Sequence, residues 1–126
     1  MINTIGYFEI QSSDPERDTK FYNSVFGWEC QRDLNIPIPY YRIESGGING
    51  AMLMRPAKTP EQEYGTNAFC CSVQVADFDM TAKKIIEKGG KEAMPKFAVP
   101  GKCWQGYFID PDNNVFGIFQ VDENAG

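Results

Sequence analysis

The 126-residue chain contains no histidine. That excludes Ser-His-Asp triads, Cys-His dyads, zincin motifs and every imidazole proton shuttle. Positive charge is also scarce: 12 Lys and Arg stand against 17 Asp and Glu, a formal net charge of −5. No basic stripe is present to hold a nucleic acid. No apolar run approaches the roughly 20 residues needed to span a membrane. The N-terminus lacks a basic region followed by an apolar core, so no signal peptide is expected and cytoplasm is the expected location. The four cysteines, Cys30, Cys70, Cys71 and Cys103, show no CxxC spacing. Cys70 and Cys71 are neighbours in a strand-like run and should point to opposite faces, so reduced thiols are expected.

What the chain does have is a repeat. Ile5-Gly6-Tyr7-Phe8-Glu9-Ile10, Asp14 and a helix-patterned run to Gly27 reappear as Cys70-Cys71-Ser72-Val73-Gln74-Val75, Asp77 and a run to Gly90. The offset is 63 (77 − 14, 90 − 27). Later pieces repeat at 66: Tyr41-Arg42-Ile43-Glu44 with Tyr107-Phe108-Ile109-Asp110, and Ala51-Met52-Leu53 with Gly117-Ile118-Phe119. Self-similarity at half the chain length indicates a duplicated unit: module one over 1–54, a polar linker over 55–67 and module two over 68–126. Together they make one domain, large enough to bury roughly two-thirds of its unfolded surface.

Within each module the pattern predicts a strand, a helix and further strands. Residues 5–10 alternate at strand period, with Tyr7 and Glu9 on one face and Phe8 and Ile10 on the other. Asp14-Pro15 reads as an N-cap with proline in the first turn, Phe21, Tyr22, Val25 and Phe26 as the apolar stripe, and Gly27 as the stop. Strands follow at 40–44 and 51–54 across a glycine-rich hairpin. Module two opens with a strand over 69–75. Asp77 then caps a helix that turns Phe78, Ala82, Ile85 and Ile86 inward and ends at Gly89-Gly90. A loop from Pro95 leads to strands at 104–109 and 115–121, joined by the turn Asp110-Pro111-Asp112-Asn113-Asn114.

These elements resemble the vicinal oxygen chelate superfamily of glyoxalases, bleomycin-resistance proteins and extradiol dioxygenases. Carrying the likeness are Asp14-Pro15-Glu16-Arg17, Phe21-Tyr22 and Val25-Phe26-Gly27-Trp28 in module one. In module two they are Val75-Ala76-Asp77, Glu87-Lys88-Gly89-Gly90 and Asp110 to Gly117. The resemblance implies an α+β fold: two βαβββ modules in a curved, mostly antiparallel eight-stranded sheet around a cavity, helices outside, commonly in a homodimer. In metal-using members four side chains line that cavity, and the motifs set those positions at Tyr7, Ala51, Cys70 and Gly117. Ala51 and Gly117 lack a donor atom, so the expectation is no metal and no cofactor, as in the metal-lacking glyoxalase-like branch.

Several side chains offer chemistry in that setting. Glu9 reads as a general base with a raised pKa, or else as a carboxylate solvated at the cavity rim or paired with an arginine. Tyr7 reads as a hydrogen-bond donor to a ligand or as a filler of the metal's volume. Cys70 reads as a nucleophile or, with nothing to activate it, as a small buried hydrophobe. Trp104 and Tyr41, with Lys102, read as an aromatic mouth or as core, and Lys96 to Lys102 as a lid or a simple connection. Ser72 and Phe119 complete the expected lining. Gly46 to Gly50 is no phosphate loop, since no helix follows it. Asp110 to Asn114 is no calcium loop, since its twelfth position is Val121.

Three functions are compatible with these readings. One is the binding of a small organic molecule in a metal-free cavity. Another is a metal-independent lyase or isomerase with Glu9 as base and Tyr7 as oxyanion donor. The third is an interaction domain whose cavity its own side chains fill.

Overall fold

A computed structural model describes residues 5–55 and 70–126, so nearly all of the expected linker, and the start of the strand expected at 69, lie outside the described residues. The chain divides into two compact units, Met1–Thr59 and Pro60–Gly126. Both have the order βαβββ, which makes the fold α+β. No described helix is long and apolar enough to cross a membrane.

Unit one runs β1 (Phe8–Ser12), α1 (Pro15–Phe26), β2 (Glu29–Arg32), β3 (Tyr40–Glu44) and β4 (Gly50–Met54). Its sheet order is β1-β4-β3-β2, with β1 parallel to β4 and the other pairs antiparallel. The helix begins where expected, because Asp14 Oδ1 accepts from Arg17 N at 3.1 Å and Pro15 needs no partner in the first turn. It stops at Gly27, whose φ of 73° suits the left-handed cap. Phe21, Tyr22 and Val25 pack on the sheet residues Ile43 and Met52, all buried. Trp28 stacks on Tyr22 at 5.4 Å and starts β2 against the helix end. At Gly50 a Cβ would meet the Phe8 carbonyl oxygen at 2.4 Å, so only glycine lets β1 and β4 approach so closely. Beneath the helix start, fully buried Asp18 accepts from Ser12 Oγ and from Arg17 Nε at 2.8 Å.

Unit two runs β5 (Ser72–Gln74), α2 (Phe78–Glu87), β6 (Lys91–Val99), β7 (Cys103–Ile109) and β8 (Val115–Val121), in the order β5-β8-β7-β6. Asp77 Oδ1 caps α2 through Met80 N at 3.0 Å. Phe78 and Ile85 are buried against Phe108, Phe116 and Ile118. Ile86, expected inward, is 52% exposed, because the helix seats a narrow stripe and Ile86 falls beside it. The hydrogen bonds unite the eight strands as two four-stranded mixed sheets rather than one continuous sheet.

Two strands run where no strand was expected. β2 is short and polar, and β6 carries Pro95 in its middle. Proline fits there because β6 is an edge strand whose pairing with β7 shifts register between Glu92 and Met94 and between Met94 and Phe97. The expected lid is therefore mostly a strand: Lys96 to Val99 belong to β6, and a turn closed by Lys102 N donating to Val99 O at 2.9 Å follows.

Candidate functional site

In unit one the strand alternation sends Phe8, Ile10, Met52 and Ile43 to the α1 side and Glu9, Ala51 and Arg42 to the opposite face. Glu9, Ala51 and Arg42 lie in one line across β1, β4 and β3. Ala51 is fully buried, while Glu9 and Arg42 are exposed. Tyr7, just before β1, is 47% exposed and donates to Glu9 Oε2 at 3.0 Å. Its hydroxyl also lies 2.8 Å from that of Tyr40. The Tyr7 phenol is pushed well above the ordinary tyrosine value, first by desolvation and then by the hydrogen bonds to Tyr40 and Glu9 and the Glu9 charge. Tyr7 therefore keeps its proton at neutral pH. Arg42 is held by Asp33, with Nε at 3.0 Å and Nη2 at 2.9 Å from Oδ2. Along the β2 edge, Asn23, Glu29, Cys30, Gln31, Arg42 and Glu44 line a polar groove of about 360 Å³.

The equivalent face of unit two holds Ser72, Gly117, Phe119, Gln105 and Tyr107. Gln105 Nε2 donates to Ser72 Oγ at 3.1 Å and closes over the bare backbone of Gly117. A Cβ on Gly117 would meet Ser72 Oγ at 2.3 Å, Gln105 Nε2 at 2.7 Å and Tyr107 Cε1 at 3.2 Å. Half-buried Cys70 lies 3.8 Å from the Val115 carbonyl. Burial, and next the neighbouring Cys71, push its thiol above the ordinary range. That is the wrong direction for a nucleophile.

Two expected site residues fall on the wrong face. Tyr41 pairs with core residue Met52 on the α1 side, under the Arg32 guanidinium at 5.6 Å. Trp104 pairs with Gln120 on the α2 side, donates to Asp122 at 3.0 Å and lies under Lys96 Nζ at 4.8 Å. Neither joins an aromatic mouth with the residues above. The strand register gives the reason. Glu9 opposite Ala51 and Ser72 opposite Gly117 reproduce the offsets of 63 (72 − 9) and 66 (117 − 51). Arg42 opposite Ala51 and Tyr107 opposite Gly117 give 65 (107 − 42) for the third strands, one less than the match of Tyr41 to Tyr107. A one-residue slip moves every side chain to the other face. The side chains thereby missed are Tyr40 and Gln105, equivalent at offset 65 (105 − 40). Counting back from buried Ile43 by an odd number of residues finds Tyr40.

The family model for the Glyoxalase/Bleomycin resistance protein/Dioxygenase superfamily matches residues 4–118. The chain belongs to that superfamily. Among curated relatives, the Mycobacterium bovis protein named "Putative glyoxylase CFP32" is 25% identical over 125 residues, which make up 98% of this chain and 48% of that protein. The chain thus spans about half the length of that relative. Among solved structures, a superfamily enzyme from Burkholderia phytofirmans PsJN aligns with a TM-score of 0.77 at 19% identity, over 93% of this chain and 98% of the other. The fosfomycin resistance protein FosX from Listeria monocytogenes aligns at 0.76 and 20% identity, over 97% and 96%. These two likenesses are of fold. Among the described residues of this superfamily member, no three Cys, Asp or Glu side chains gather to hold a metal ion.

Proposed function

We propose that this superfamily member binds a small organic molecule without a metal, through the unit-one face bearing Tyr7, Glu9 and Tyr40. The observation that carries the reading is the hydrogen-bonded set of two phenols and a carboxylate, exposed beside a sheet position, Ala51, that has no donor atom. FosX has been solved with Mn(II) and 1S,2S-dihydroxypropylphosphonic acid. The four positions that the resemblance assigns to a metal do not fit one in this chain. Ala51 and Gly117 offer nothing, Tyr7 is engaged by its neighbours, and Ser72 and Gln105 occupy the space beside Gly117. No step is routed through a metal.

A thermal-shift panel of thiol conjugates, small keto acids and aromatic antibiotics tests the proposal, since a ligand raises Tm with the logarithm of its excess. The expected result is a hit that Tyr7→Phe or Glu9→Gln weakens, in protein whose metal content by elemental analysis is far below one per chain. A stoichiometric divalent ion that the hit requires sinks the proposal.

The catalytic alternative draws on the 3.0 Å contact between Tyr7 and Glu9, a donor and a base side by side. Turnover of a panel hit, abolished by Glu9→Gln while its binding survives, selects that reading. The edge strands β1, β2, β5 and β6 are the places a homodimer would cover, and light scattering on the purified chain tests that arrangement.

A further inference from the structure

The hydrogen-bonded set of Tyr7, Glu9 and Tyr40 has a direction. Tyr7 has one hydroxyl proton and a carboxylate has none to give, so Tyr7 donates to Glu9 Oε2. With that proton engaged, the 2.8 Å contact between the hydroxyls is Tyr40 donating to Tyr7. The chain of bonds runs Tyr40 to Tyr7 to Glu9, and both phenol protons turn inward. What remains open to a ligand is acceptor capacity: the second Glu9 oxygen and the phenol lone pairs. Among the described residues Glu9 makes no ion pair. The cation on the same face, Arg42, is already held by Asp33.

We infer that this face takes a cationic donor, an ammonium group, from its ligand. The inference rests on the small-molecule reading above and names the ligand's chemistry. The Glu9 carboxylate accepts the ammonium N–H, and two tyrosine rings beside it supply π-faces for the charge. At Glu9 and the two phenols an anionic ligand meets acceptors only. To bind there it must turn a phenol proton away from its acceptor, breaking the bond from Tyr40 to Tyr7 or the charge-assisted one from Tyr7 to Glu9. The raised Tyr7 pKa keeps that proton in place at neutral pH. The same polarity counts against Tyr7 as a ready oxyanion donor.

Three probes of one shape test it: phenethylamine, 2-phenylethanol and 3-phenylpropanoate, titrated into the full chain carrying labelled tyrosines and followed by NMR. Spectra of Tyr7→Phe and Tyr40→Phe assign the two rings. The expected result is that phenethylamine shifts both rings at millimolar concentration, with the alcohol weaker and the carboxylate weakest. Glu9→Gln should weaken the amine by on the order of tenfold or more and the alcohol by much less. Equal or tighter binding of the carboxylate overturns the inference, as does amine binding indifferent to Glu9→Gln or no response to the amine. The order of the three probes is read on the native chain, so a misfolded variant leaves that test intact. The thermal-shift panel judges the small-molecule reading separately: a keto-acid hit sensitive to Tyr7→Phe preserves that reading while the ammonium assignment falls.

Discussion

Gly117→Ala asks whether unit two has closed the space where the superfamily resemblance places a metal ligand. The φ of Gly117 is not in the left-handed region, so the backbone accepts alanine without strain. Replacing glycine also narrows the unfolded ensemble, a gain of about 0.4–1 kcal/mol. Against this stand the contacts of the added methyl, at 2.3 Å from Ser72 Oγ and 2.7 Å from Gln105 Nε2. Both atoms are ends of movable side chains, so the side chains yield before the backbone does. Their mutual hydrogen bond is lost, about 0.5–1.5 kcal/mol. Residual overpacking against Tyr107 Cε1, at 3.2 Å, adds part of the 1–3 kcal/mol typical of crowded sites. The net expectation is destabilisation by about 1–2 kcal/mol.

Urea denaturation reads this as a lower midpoint with an unchanged m-value. Ser72→Ala removes the nearest clashing atom, so in the background of Ser72→Ala the same glycine replacement should cost less than about 0.5 kcal/mol, a coupling only touching residues produce. If Gly117→Ala is neutral or stabilising alone, or if its cost is unchanged beside Ser72→Ala, the side-chain bridge does not fill the position and the reasoning fails.

Gly106→Ala should cost more than Gly117→Ala, about 2–3 kcal/mol by the same denaturation, because its Cβ meets the Phe78 ring at 2.6 Å and Phe78 is locked in the core. Asp18→Ala should cost about 2–3 kcal/mol, since it takes the acceptor from the Ser12 hydroxyl proton beneath α1 and removes one ion-pair partner of Arg17. The elevated Tyr7 pKa favours the protonated folded state, so its contribution to stability is complete below the ordinary value near 10 and is lost as pH rises beyond it. Ultraviolet titration of native chain against Tyr7→Phe should show one tyrosine ionising later than the rest. Absence of that late step refutes the hydrogen-bonded arrangement.

Where local chemistry alone decides an element, the sequence was legible. Asp14 and Asp77 as caps and Gly27 as a stop are one-residue signals, and each does in the structure what its type dictates. The order of strand, helix and further strands in each module follows from them together with the repeat, and the α+β fold from the resemblance. β2 and β6 were not legible. One is a short polar edge strand, and the other contains a proline that a central strand would forbid; the neighbouring strand and the bulges make both possible. The site divides in the same way. The first-strand offset of 63 sets Glu9 and Ser72 at equivalent register in the two units, with no insertion to disturb it. The match of Tyr41 to Tyr107 pairs tyrosine with tyrosine, whereas the register pairs buried Ile43 with buried Phe108. Chemical identity is a poorer guide to register than burial, since a sheet is aligned by the face it buries.

The duplication then supplies an internal control on the chemistry. Tyr40 and Gln105 occupy equivalent positions, and each reaches across its central strand to the first-strand end of its own sheet. In unit two the bridge is neutral, Gln105 to Ser72, and it closes over Gly117. In unit one it passes through Tyr7 and ends on a carboxylate open to solvent. The same scaffold position therefore serves packing in one copy and leaves an unneutralised charge in the other. A lone exposed carboxylate needs no such support to stay solvated, whereas two ordered phenols limit the freedom of its side chain and of each other. That ordering has no counterpart need in unit two, where Ser72 replaces Glu9. On the binding proposal above, this asymmetry favours unit one, and it makes Tyr40→Phe, rather than any change at Gly117, the substitution that should alter ligand preference without altering the fold.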